Sequence, residues 1–188
     1  SCDAGPHCTV RIWDAATGEE MRQLIGNTST VYSAAYSPDG RQIVTLSGDG
    51  TVRIWDAATG EELRQLGHTS WNLSAAYSPD GKQIVTASND GIVRIWDTAT
   101  GEELRQLISH TSRVSSAAYS PDGKQIVTNN NNDSGDYTVR IWDAATGEEL
   151  RQLIGHTNWV RSAAYSPDGN TIVTRDDFSI KFWSVSDN

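Results

Sequence analysis

Three sets of residues in this chain carry the types a nucleophilic enzyme would use. His68, Thr86 and Asp90 recur at like spacing as His110, Thr128 and Asp136, and again as His156, Thr174 and Asp177. A histidine placed between a hydroxyl and a carboxylate is the arrangement that activates a nucleophile. Repetition argues against that use, because an active site is needed once and buried polar groups mostly exist to satisfy one another. No unique polar constellation stands apart from the repeats, so the chain reads as a non-enzyme without catalytic residues.

Two other groupings hold metal-ligand types. Cys2, His7 and Cys8 lie within the first eight residues, but three ligands on a tail outside the repeats are weak grounds for a metal, and two free thiols are the expected state. Asn129 to Asp136 offers many oxygens but only two aspartates. A calcium loop needs several carboxylates at fixed offsets, so this stretch reads as a solvated loop. No metal and no cofactor are expected.

The elements that would position these residues are legible in one sixteen-residue stretch, Thr138 to Leu153. Val139 and Ile141 alternate with Arg140 and Trp142, the period of a strand; Asp143 to Gly147 is turn chemistry; Glu149 to Leu153 alternates again. The stretch is a β-hairpin. Its tryptophan recurs at Trp13, Trp55, Trp96, Trp142 and Trp183, at spacings of 42, 41, 46 and 41 residues. Between hairpins lies a second recurring block, typified by Ser74 to Thr86, in which Pro79-Asp80-Gly81 marks a β-turn between two further strands. Each period therefore holds four antiparallel strands, a, b, c and d.

A lone four-stranded sheet of this size cannot bury both faces, and such units persist by packing face to face around an axis. An all-β propeller of four-stranded antiparallel blades follows. Small residues in strand a, expected innermost (Ser33-Ala34-Ala35, Ser74-Ala75-Ala76, Ser116-Ala117-Ala118, Ser162-Ala163-Ala164), suit crowding near that axis.

The period, the Gly67-His68 and Gly155-His156 pairs, and the Trp-Asp pairs that end strand c resemble the WD40 repeat family, from about Cys8 to Val185. The resemblance implies a buried chain of hydrogen bonds in each blade, from Trp through Thr and His to Asp. The matching residues are Trp96, Thr86, His68 and Asp90; Trp142, Thr128, His110 and Asp136; and, with one residue deleted, Trp183, Thr174, His156 and Asp177. In the first full period Asn27 stands at the His position beside Thr45, Asp49 and Trp55, and asparagine is shorter than imidazole.

In chain order, residues 1–8 form a tail and residues 9–188 the repeat array. The array comprises a partial blade at 9–26, full repeats at 27–67, 68–108 and 109–154, and an incomplete repeat at 155–188. The tally is four a, four b, five c and four d strands, or four blades' worth with one strand c to spare. WD40 rings commonly close with seven or eight blades, which implies a homodimer closing an eight-bladed ring; a monomeric four-bladed ring is the alternative. Of the two terminal c strands, the one near Trp183 is expected in the regular place, since His7 stands where the N-terminal copy needs its aspartate.

Composition limits the partners. A net charge of −9 over 188 residues argues against nucleic acid, and no apolar run reaches membrane-spanning length. A soluble, cytoplasmic protein is expected.

Variation among the repeats concentrates three and five residues after the His position, at Thr30 and Tyr32, Trp71 and Leu73, Arg113 and Ser115, and Trp159 and Arg161. These fall on one rim of the channel, where WD40 proteins commonly contact partners. Gly48, Asn89, Gly135 and Asp176, each just before the aspartate, are expected on the same surface. Trp, Tyr and Arg dominate binding hot spots, which points to a scaffold for a protein or peptide partner. The alternatives are a small-molecule or glycan-binding propeller, and a recently duplicated or engineered repeat with no evolved ligand.

Overall fold

The computed structural model describes residues 8–67, 72–108, 113–130 and 135–185. Among these residues there is no helix, and the strands fall into five sheets. An N-terminal hairpin is made of β1 (Cys8–Trp13) and β2 (Glu20–Asn27). The first complete blade contains β3 (Val31–Tyr36), β4 (Gln42–Ser47), β5 (Val52–Asp56) and β6 (Glu62–Leu66). The second contains β7 (Asn72–Tyr77), β8 (Gln83–Ser88), β9 (Ile92–Asp97) and β10 (Glu103–Ile108). The third contains β11 (Val114–Tyr119), β12 (Gln125–Asn130), β13 (Val139–Asp143) and β14 (Glu149–Leu153). A terminal sheet holds β15 (Ser162–Tyr165), β16 (Thr171–Arg175) and β17 (Ile180–Ser184).

Every pairing is antiparallel between sequence neighbours, and the blades share one register. Ile43 faces Trp55, Ile84 faces Trp96, Ile126 faces Trp142 and Ile172 faces Trp183 across strands b and c. Strand a of each sheet contacts strand a of the next, β3 on β7, β7 on β11 and β11 on β15. The small residues of strand a permit that approach. The architecture is a β-propeller, as the repeats require.

Local chemistry fixes both turn types. In the Ser-Pro-Asp-Gly turn Ser78 Oγ donates to Asp80 Oδ1 at 2.7 Å, Asp80 Oδ1 accepts the Lys82 N–H at 3.1 Å, and Gly81 takes φ of 73°, which only glycine adopts without strain. Strand c ends in aspartate because its carboxylate caps the next turn: Asp143 Oδ1 accepts N–H bonds from Ala145 at 2.9 Å and Thr146 at 2.7 Å.

The core lies between sheets. Val44, Leu46, Val52, Ile54 and Leu66 of the first blade pack on Ala75, Ile84 and Trp96 of the second. The third blade closes on the second, and the terminal sheet on the third, with corresponding residues. Each fully buried Leu, Ile or Val of these contacts contributes about 1.5–3 kcal/mol relative to exposure, so the interfaces between sheets carry the stability. Leu24, from the N-terminal hairpin, meets Ile43 and Trp55 on the front of the first blade.

The two ends of the chain do not share a sheet: β1 pairs with β2, and β17 is an edge strand beside β16. The split blade is thus not assembled within one chain. Cys8 is disulfide-bonded, which corrects the expectation of two free thiols; the chain's other cysteine, Cys2, lies outside the described residues.

Candidate functional site

The Trp–Thr link is present in all four sheets that hold both residues. Trp55, Trp96, Trp142 and Trp183 each donate from Nε1 to Thr45, Thr86, Thr128 and Thr174 Oγ1, at 2.8 Å in every case. The b–c register produces this contact, because it brings the indole edge over a buried hydroxyl two residues along strand b.

The set continues to histidine in the terminal sheet. His156 Nε2 is 2.7 Å from Thr174 Oγ1, and Nδ1 is 2.7 Å from a carboxylate oxygen. That carboxylate belongs to Asp176, not to Asp177, which corrects the expected assignment. One residue fewer in the b–c turn tightens it, so that Asp176 N–H bonds Ser179 C=O at 3.0 Å and the carboxylate at the end of strand b swings inward. Asp176 also accepts N–H bonds from Phe178 and Ser179 at 2.8 and 2.5 Å. The His156 hydrogen bond, aided by these donors, holds its carboxyl well below the usual range. Placing Asp176 on the rim is corrected by the same observation, since it is buried.

In the first blade the set is broken at Asn27. The residue is fully buried, yet its amide oxygen accepts only from Arg53 Nη1 at 3.3 Å and its Nδ2 has no partner. Thr28 Oγ1 donates to Asp49 instead. Burial would raise the Asp49 carboxyl, but donation from Thr28 and Thr51 outweighs it and the net shift is downward. His68 and His110 lie outside the described residues, as does Trp71.

Sequence reasoning missed a second buried element. Arg53, Arg94 and Arg140 in strand c, which alternation places beside the tryptophan, are buried between two carboxylates. Arg94 Nη2 is 2.9 Å from Asp90 and its Nε 3.3 Å from Glu103; Arg140 Nη1 is 2.7 Å from Glu149 and its Nη2 3.4 Å from Asp136; Arg53 pairs with Asp49 and Glu62 at 3.5 and 3.1 Å. Their identity alone was no signal, because nearly the whole hairpin around Arg and the second Glu of Gly-Glu-Glu is unchanged in these periods.

On the rim, the structure brings together two groups of the expected residues. In the terminal sheet the Arg161 guanidinium lies 5.0 Å over the Trp159 ring and meets Asp177 through Nε at 2.8 Å and Nη2 at 2.9 Å. Asp177 was not among the expected rim residues; the inward turn of Asp176 sends it there. The Arg161 contact lowers its carboxyl. In the first blade Gly48 N–H bonds Thr30 C=O at 2.7 Å, and the exposed Tyr32 ring lies against Gly48. Arg113, Asn89 and Gly135 are exposed, and Leu73 is half-buried. Ser115 is drawn inward, since its Oγ accepts from Asn129 Nδ2 at 2.7 Å.

With this geometry established, the family profile described as PD40, the TolB β-propeller domain, matches residues 5–182. The chain belongs to that family. This TolB-type propeller is also similar to Coronin-7. The mouse protein is 50% identical over 42 residues, covering 22% of this chain and 5% of that protein. The rat and human proteins are 45% identical over the same length, which is 5% and 4% of theirs. The chain thus matches about a twentieth of these relatives, a stretch one repeat long. Both comparisons support a WD40-like propeller.

Proposed function

We propose that this TolB-type propeller, its repeats of the WD40 kind, is a non-enzymatic scaffold that holds a protein or peptide partner on the rim of the d–a loops and b–c turns. The observation that carries this is the Trp159–Arg161–Asp177 cluster. A long, exposed arginine is held over an indole by a two-point ion pair, although the sheet's own polar network runs separately beneath it through His156 and Asp176. Stacked Arg and Trp held in place lose little entropy on binding and are the side chains that dominate interface energies. The net charge of −9 favours a basic partner.

Burial supports the non-enzymatic part. Thr174 and His156 have the contacts of a nucleophile and its base, but both are enclosed and the threonine oxygen already accepts from Trp183. A substrate carbonyl has no route to that oxygen.

The test is to select binders from a displayed library of basic peptides and measure their affinity by calorimetry for the unaltered chain and for Trp159→Ala, Arg161→Ala and Tyr32→Ala. Loss of about tenfold or more on Trp159→Ala is expected, as for a hot-spot residue. Affinity indifferent to all three substitutions would remove the rim from the reading.

A further inference from the structure

The two open ends of this arc of sheets are complementary to each other. The back of the terminal sheet exposes Ile180 and Phe182, at 61% and 74%. In complete blades the counterparts of these residues, Val52 and Ile54 or Val139 and Ile141, are buried against the following blade. At the other end, Tyr36 on the front of the first blade is 53% exposed. Its counterparts Tyr119 and Tyr165 pack on the core of the preceding blade, beside a glutamine whose place Thr171 takes in the terminal sheet.

Strand edges and charge match as well. In each complete blade the strand c arginine reaches a strand d glutamate, as Arg140 does Glu149. In β17 that position is Lys181, which has no ion partner among the described residues. A strand d with the matching acid exists in β2, whose Glu20 stands where Glu149 does and meets Arg11 at 3.0 Å.

We propose that a second copy of this chain closes the terminal sheet by strand exchange: β2 of one chain pairs antiparallel with β17 of the other and β1 leaves its place. Carrying over the β13–β14 register puts Ile180 opposite Leu24, Lys181 opposite Gln23 and Trp183 opposite Glu20, with Lys181 beside Glu20. Ile180 and Phe182 then take the positions of Val10 and Ile12 against Ile43 and Trp55 of the second copy. The strand that stays is β17, because Trp183 is fixed to Thr174 within its own sheet whereas Trp13 is exposed. Since β1 and β17 make equivalent pairings, the exchange conserves hydrogen bonds; Ile180 and Phe182 are covered as Val10 and Ile12 are released, and the net gain is the rest of the terminal sheet's back that comes to lie on the first blade of the second copy. Two-fold symmetry repeats the junction at both ends.

Light scattering after size exclusion, over a range of concentrations, should give twice the chain mass. Phe182→Asp should give the single-chain mass with an unchanged far-ultraviolet spectrum, because Phe182 is exposed in one chain. Lys181→Glu and Glu20→Lys should each weaken association about tenfold, since each dimer holds the contact twice. Mixing those two variants should restore it, because one junction then has the reversed pair and the other the original. A single-chain mass for the unaltered protein at every concentration, a mass above two chains, or a dimer indifferent to Phe182→Asp or to the charge exchange would overturn the proposal.

Discussion

His156 Nδ1 sits 2.7 Å from Asp176 Oδ2, while the adjacent Asp177 points outward to Arg161. Neighbouring carboxylates thus serve two purposes, one closing a buried network and the other fixing a surface cluster. Asp176→Asn should lower the urea midpoint clearly, because one of the two buried oxygens becomes an NH2 that cannot accept, so either the His156 ring or the Phe178 and Ser179 N–H groups lose their acceptor, and the charge is lost as well. Asp177→Asn should leave the midpoint nearly unchanged and loosen Arg161. Paired urea titrations of the two variants check this, and equal effects would contradict the division of roles.

Acid should destabilise the protein through Asp176 and Asp49. Asp176 and Asp49 are depressed in the folded state, so the unfolded chain binds protons more readily. Their stabilisation is fully present above the unfolded value of about 3.9 and is lost as pH falls through the lower folded values. Urea midpoints at a series of pH values should hold steady near neutrality and fall below about pH 4. In Asp176→Asn that fall should be shallower.

Thr98 is 6% exposed, and its Oγ1 has no hydrogen-bond partner. The corresponding residues of the neighbouring blades are Ala57 and Ala144. An unsatisfied buried hydroxyl costs about 1–3 kcal/mol, so Thr98→Ala should stabilise the fold by about 1 kcal/mol. Thermal or urea unfolding reads this directly, and a destabilised variant would show that the methyl group outweighs the hydroxyl.

Trp96→Phe keeps most of the buried ring and deletes the 2.8 Å bond to Thr86. Loss of that bond, together with the lost ring volume, should cost about 2–4 kcal/mol. A second substitution, Thr86→Val, should recover part of that loss in a double-mutant cycle, since both polar groups are then gone.

Cys8 should be inert to thiol reagents until a reductant is added, given its disulfide. Reagent uptake by the folded, unreduced protein would contradict that state.

The sequence by itself determined the repeat, the strands and the turns. Residue spacing 41 to 46 apart, alternation through Val139 to Trp142, and Ser-Pro-Asp-Gly chemistry are local signals, and a local signal needs no tertiary context. The Trp–Thr contacts were legible only through the resemblance to the WD40 repeat, which implied them at these positions. Tertiary structure decided which of Asp176 and Asp177 faces His156, since one deleted residue changes the pleat of a turn and sends adjacent side chains to opposite sides. It also decided that Arg53, Arg94 and Arg140 are buried. Period-two alternation assigns a residue to a face of its strand, but whether that face meets water or another sheet depends on how blades pack.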